Sequence, residues 1–234
     1  VGLSLASPAK DHVDDGDGIY RTREGGAWYA FTQFESTDAR QAFPTFDEPS
    51  FKVPWQLTLH VPKGLVALSN TPVQSERDDA NGMHTVTFQQ TRPLPSYLVA
   101  FCVGPFDLVD AGKTKGGVPV RVVVPKGRGA EAAYAAKVSA ELLDREEVYF
   151  GSPYPYGKLD LVAVPVFNAG AMENAGLITF RLSAILVKPA EIDQDWRERY
   201  AVTAAHEMAH QWFGDLVTLA WWDDTWLNES FASW

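Results

Sequence analysis

Hydrophobic and polar positions alternate with period two through the first hundred residues. Trp55, Leu57, Leu59 and Val61 interleave with Gln56, Thr58 and His60, which predicts a half-buried strand. Val86 and Phe88 resume the alternation after Asn81-Gly82, a turn dipeptide. Tyr97–Val103 is apolar on both faces, the pattern of a central strand. Short strands punctuated by Pro and Gly predict a β-sandwich, or part of one, over residues 1–108. His60 and His84 fall on these strands and read as structural. Residues 1–25 are rich in Asp and Gly and predict a turn region. Their segment DHVDDGDG (11–18) lacks the acidic alternation and the later Glu of a calcium loop.

From Val109 the pattern changes. Val118, Val120, Val122 and Val124 line one face of a strand, and Gly127–Gly129 breaks the chain. Residues 130–149 predict a helix with Ala136, Val138, Leu142, Leu143 and Val148 on its apolar stripe, stopped by Gly151-Ser152-Pro153. Strands follow at Leu159–Val166 and Leu177–Phe180, around a loop with Gly170 and Gly176. A long helix is predicted from Pro189 to Phe213, with Pro in its first turn, acids at its start and Gly214 just past its end. Another begins near Asp224 or Thr225, either of which can cap it. Strands in the first part and mixed strands and helices in the second make an α+β chain, with one unit over 1–108 and another over 109–234.

Composition narrows the function classes. Twenty basic against thirty acidic residues give a net charge of −10, which disfavours a nucleic-acid binder. The apolar runs around Leu98–Phe106 and Leu159–Phe167 are too short to span a membrane. Val1–Lys10 has neither the basic nor the apolar region of a signal peptide. Cys102 is the single cysteine, so internal disulfides and cysteine-rich metal sites are out, and a reducing, cytoplasmic setting is favoured. The acidity is uneven. Residues 189–234 hold nine acids against Arg197 and Arg199, and Trp212, Trp221, Trp222, Trp226 and Trp234 crowd the same stretch.

That stretch contains His206-Glu207-Met208-Ala209-His210. On a helix the two histidines lie about 40° apart and one turn along, so both imidazoles reach one ion. Glu207 lies on the same side without replacing either. Catalytic zinc commonly takes three protein ligands, often two His and one Glu, and Glu229 in the next predicted helix is the candidate for the third. Such a site lowers the pKa of water, polarises a carbonyl and hydrolyses amides, with Glu207 carrying the proton. A second signal is Gly170-Ala171-Met172-Glu173-Asn174. Its small residues allow an extended peptide to approach, and Glu173 suits a free α-ammonium; as local sequence alone it reads more readily as an ordinary β-turn with a solvated Glu.

Four stretches, TQFESTDARQAFPTFDEPSFK (32–52), SYLVAFCVGPF (96–106), YPYGKLDLVAVPVFNAGAMENAGLITFR (154–181) and AAHEMAHQWFGDLVTLAWWDDTWLNESFASW (204–234), resemble the gluzincin zinc aminopeptidases, which include the membrane alanyl and puromycin-sensitive enzymes. The resemblance implies part of an N-terminal β-sandwich followed by the first part of a thermolysin-like catalytic domain. It implies one zinc ion per chain on His206, His210 and Glu229, with Glu207 as the catalytic carboxylate. Glu173 and Glu35 match the carboxylates that hold the substrate's free amine, which makes such enzymes exopeptidases acting on peptides with a free N-terminus. Gln33 and Met172 match the lining of the pocket for the first side chain, and Gly170, Ala171 and Asn174 the segment that aligns the substrate backbone. Thr45 and Ser230 stand where many relatives carry Cys and Gly, and Asp223 where Asn is common. The family's transition-state tyrosine belongs to a later stretch, so the chain reads as a piece of a longer metalloprotease, weakly active or inactive alone. A zinc endopeptidase and a non-enzymatic scaffold of the same descent are the competing expectations. No oligomeric state follows.

Overall fold

The computed structural model describes residues 12–13 and 16–234; of residues 1–25, expected to be a turn region, 1–11, Asp14 and Asp15 lie outside the described residues, and Gly18–Glu24 is a strand instead. The first part runs β1 (His12–Val13), β2 (Gly18–Glu24), β3 (Ala27–Gln33), the short α1 (Ala39–Ala42), β4 (Thr58–Pro62), β5 (Val66–Ser69), β6 (Val73–Asp78), β7 (Met83–Phe88) and β8 (Phe101–Gly104). The second continues with β9 (Phe106–Lys113), β10 (Pro119–Pro125), α2 (Ala133–Phe150), β11 (Leu159–Val164), β12 (Ala171–Met172), β13 (Leu177–Arg181), α3 (Leu182–Ile185), α4 (Gln194–His210) and α5 (Trp226–Ser233). It is a mixed α+β chain. No described helix is long and apolar enough to cross a membrane.

The strands form three sheets, ordered β1-β2-β3-β8-β5, β4-β7-β6 and β12-β13-β11-β10-β9. Period-two side chains stack them. In the first sheet Ala67 and Val103 face the three-stranded sheet with Val61, Val86 and Phe88, while Leu68, Cys102, Tyr20, Tyr29 and Phe31 face the other way. There they meet Val123, Val162, Val164 and Leu177 of the mixed sheet. The alternate residues of that sheet, Val120, Val122, Val124, Leu159, Leu161 and Ala163, pack beneath the helices with Leu143, Tyr200, Ala204 and Met208. Four layers result: small sheet, large sheet, mixed sheet, helices. β9 already pairs with β10 from Phe106, so the mixed sheet takes in residues just before the expected boundary at 108/109.

Several boundaries differ from expectation, each for a local reason. Burial alternates from Trp55 to Val61 as predicted, but the ladder starts only at Thr58. Ser96–Leu98 is a 3-10 turn rather than strand, although Tyr97 and Leu98 are fully buried; the strand proper begins at Phe101 and is central, between β3 and β5. The long helix is shorter than Pro189–Phe213. Pro189–Glu191 forms a separate 3-10 turn, and Asp193 caps α4 by accepting the Trp196 N–H at 2.8 Å. At its far end Gly214 has φ +141° and lies beyond a further turn, so it is not the residue that ends the helix. Thr225 does stand at the start of α5, but its hydroxyl donates back to Trp222 O (2.6 Å) instead of capping.

Candidate metal centre and amine site

Helix α4 presents His206 and His210 one turn apart, with their Nε2 atoms 3.0 Å from each other. α5 folds back so that the Glu229 carboxylate lies 3.3 Å from His206 Nε2 and 3.6 Å from His210 Nε2. Bonds of about 2.0–2.1 Å to one tetrahedral ion set donor atoms about 3.3 Å apart, so the three side chains fit a single zinc-sized cation. His210 Nδ1 donates to Phe213 O at 3.0 Å, which leaves Nε2 as the ring atom turned towards the other two donors. Among the described residues these three are the one group of His, Cys, Asp and Glu side chains gathered closely enough to share an ion.

Carboxylates surround this centre. Glu207 and Glu173 are buried, and Glu207 Oε2 and Glu173 Oε1 each lack a hydrogen-bond partner within the protein. Burial drives Glu207 well above the usual carboxylate range, helped by repulsion from Glu173, Glu229 and Glu35 and opposed by His210. Glu35 is pushed up to about 8, by burial first and then by Glu173 and Glu229. Burial works against a charge on His210, yet Glu173, Glu229 and Glu207 together raise it to about 10. Hydrogen bonds from His206 and His210 hold Glu229 low. The chain thus gathers acceptors and negative charge, and a cation or an ammonium group relieves both.

β12, the edge strand of the mixed sheet, carries Ala171 and Met172, paired with Phe180 and Thr179 of β13. Gly170 and Ala171 are reachable from solvent, whereas Met172 and Asn174 are buried. Gln33, at the end of β3, is buried with Oε1 unpartnered. Every expected site residue is described, and Glu173 and Glu229 lie close enough to Glu35 and Glu207 to help raise both, beside His210.

The turn after Glu173 is held from three sides, by residues that sequence reasoning passed over. Gln211, next to the second histidine, donates to Glu173 O (2.7 Å) and accepts from Gly176 N (2.9 Å). Lys158, buried and paired with Asp160, donates to Gly176 O (2.7 Å). Asn70 reaches over from the first unit to Ala175 O (2.9 Å). Gln211 stands inside the 204–234 stretch and Lys158 inside 154–181, but only the fold shows what they grip. Gly176 adopts φ +70°, and a Cβ there would collide with the Asn70 carbonyl oxygen. Gly176→Ala is therefore expected to cost about 2–5 kcal/mol, a drop of roughly 5–15 °C in Tm by thermal melt. An unchanged melt would mean the turn is not fixed as described.

Residues 12–98 match the Peptidase M1 N-terminal domain, and residues 134–234 the Peptidase family M1 domain. The chain belongs to the peptidase M1 family. It is 48% identical to Aminopeptidase M1-B of Oryza sativa subsp. japonica over 88% of this chain and 23% of that protein. To the Puromycin-sensitive aminopeptidase of Caenorhabditis elegans and the Glutamyl aminopeptidase of Bos taurus it is 45% and 43% identical, over 92% of this chain and 23% of each. This M1 chain thus spans about a quarter of the length of those relatives. The expectation of a gluzincin aminopeptidase likeness, made from the motifs alone, is borne out.

Proposed function

We propose that this M1 chain carries the zinc centre and amine-binding residues of an aminopeptidase that removes the N-terminal residue from peptides. The approach of His206, His210 and Glu229 to within 3.0–3.6 Å of one another, beside the unpartnered acids Glu207 and Glu173, carries the reading. M1 metallopeptidases are in general zinc-dependent, and the donor set here is two imidazoles and a carboxylate, as zinc prefers. When bound, zinc lowers the pKa of water and polarises a carbonyl. Glu207 takes a proton from the attacking water and delivers it to the leaving amine. Glu173 and Glu35 pair with the substrate ammonium and so limit cleavage to the first peptide bond. Gln33 and Met172 border the first side chain, and Gly170, Ala171 and Asn174 align the backbone along the sheet edge. The same residues divide between two units, the amine site drawing Gln33 and Glu35 from the first. The net charge of −10 disfavours a nucleic-acid partner, and the amine site supports a peptide with a free N-terminus.

The test compares an aminoacyl reporter with its N-acetylated twin in the protein that carries this chain, alongside zinc analysis. Acetylation is expected to lower kcat/KM by at least about 100-fold, since it removes the charge that two buried carboxylates hold. Equal turnover would defeat the amine-site reading, and absence of stoichiometric zinc the metal-site reading.

A further inference from the structure

Two of the three donors are fixed by α4 itself, but the third depends on the path of residues 211–225, which carry the chain from His210 to α5. That segment has little regular structure beyond a 3-10 turn at Trp222–Asp224. Local backbone bonds, among them Gly214 N to Val217 O (2.8 Å), Asp215 N to His210 O (3.0 Å) and Val217 N to Trp212 O (2.9 Å), shape its turns. Much of the rest of its support comes from the first unit. Lys52 donates to Asp215 O (2.8 Å), Leu216 O (3.1 Å) and Thr218 Oγ1 (2.8 Å), a complete set of partners for one ammonium. Asp47 O accepts the Trp222 indole N–H at 2.8 Å, and the Asp47 carboxylate is itself pinned by Ser96 and Arg40. The Tyr97 hydroxyl donates to Gly214 O (3.4 Å), and its ring meets that of Trp222 edge-on at 4.9 Å. These contacts give a purpose to FPTFDEPSFK and SYLVAF, motifs that the site chemistry leaves unused.

We propose that Lys52, with the Asp47 loop and Tyr97, forms a cradle in the first unit that sets the position of Glu229, so that the affinity of the centre for zinc is controlled from across the unit boundary. Lys52 is a positioning residue, acting through the carbonyls of Asp215 and Leu216. The inference rests on the metal site proposed above. Its chemistry is that of outer groups around a metal centre, whose loss typically lowers affinity 10–100-fold while leaving the ligands in place. Lys52→Met keeps the aliphatic stem and the packing but takes its donor from the Leu216 carbonyl and the Thr218 hydroxyl oxygen, and leaves the Asp215 carbonyl only the Thr218 hydroxyl at 3.1 Å.

The experiment titrates the full protein with zinc against a competing chelator and records the visible spectrum of the cobalt-substituted form. Lys52→Met is expected to raise the zinc Kd about 10–100-fold and to weaken the tetrahedral cobalt bands. Lys52→Arg, which retains a donating cation, is expected to stay within about threefold of wild type. Thr218→Val, which removes one acceptor of Lys52 and the hydroxyl's own bond to Asp215 O and guards against misfolding of the first variant, is expected to raise Kd by about three- to tenfold. Lys63→Met, at an exposed lysine paired with Asp78, is the control and changes nothing. A wild-type Kd and cobalt spectrum in both Lys52→Met and Thr218→Val would overturn the cradle while leaving the metal site standing. A wild-type protein that binds no zinc would overturn both.

Discussion

Replacing Glu207 by Gln is expected to slow turnover of a free-amine peptide by about 10²–10⁴-fold with zinc content unchanged, the range by which general acid–base groups accelerate proton transfer. Glu207 is buried on α4 between the two histidines, and neither its position nor its partners make it a metal ligand. The amide of Gln fills the same space but cannot accept a proton, so the loss should appear in kcat with little change in KM. Burial, with Glu173 repelling, raises the folded-state pKa of this acid above its unfolded value. The linkage then has a definite sign. Above the unfolded pKa the unfolded state holds the charge more cheaply, so ionised Glu207 destabilises the fold at neutral pH, and the penalty fades as pH falls. Gln carries no charge and escapes it, so the zinc-free variant is expected to melt no lower than wild type. Metal analysis, steady-state kinetics and a melt of the zinc-free protein read the three quantities separately. Retained turnover, or zinc lost together with activity, would remove Glu207 from the proton-transfer role.

What could be read from the chain and what could not divides along the range of the contacts. A four-residue spacing on a helix puts His206 and His210 together whatever surrounds them, so half of the centre was legible at once. The strand at Leu159–Val164 was legible from its unbroken apolar run, and burial at every position gives it a neighbour on each face, but the order of the layers was not. Tyr97 shows the limit of that logic. Its flanks are apolar because two units close over it, and burial alone does not distinguish an extended backbone from the 3-10 turn found there. The long helix was overdrawn for a similar reason: Pro189 and Asp193 are both good starting residues, and only the hydrogen bond from Trp196 N selects Asp193. From spacing alone Glu229 is a candidate, and only the resemblance implies it as the third ligand, since in the proposal above its approach depends on Lys52 and Asp47 gripping residues 163 and 175 positions away. Gln211 carries no pattern either; it is one polar residue after a histidine until the Glu173 carbonyl and the Gly176 amide are found on its two ends.

Glu229→Ala carries the second large effect, an expected fall in zinc affinity of about 10³-fold. Structural zinc in small folds is worth about 10–16 kcal/mol, and removing one of three protein ligands forfeits on the order of a third of such a sum, or about 4 kcal/mol. The consequence for stability appears only with metal present. In excess zinc the wild type gains RT ln(1 + [Zn]/Kd), and a 10³-fold weaker Kd removes about 4 kcal/mol of that gain. Without zinc the same substitution should do little harm, because Glu229 is half-exposed and its pairing with the two imidazoles is screened by solvent. It also withdraws one of four mutually repelling carboxylates, which eases the burden on Glu35 and Glu207. Melts with and without zinc therefore separate a ligand from a merely structural acid: a metal ligand lowers Tm in zinc alone, whereas a structural residue lowers it in both. Equal zinc affinity in variant and wild type would leave the two imidazoles without their third partner and would shift the search to another carboxylate of the cluster, with Glu173 the first to test.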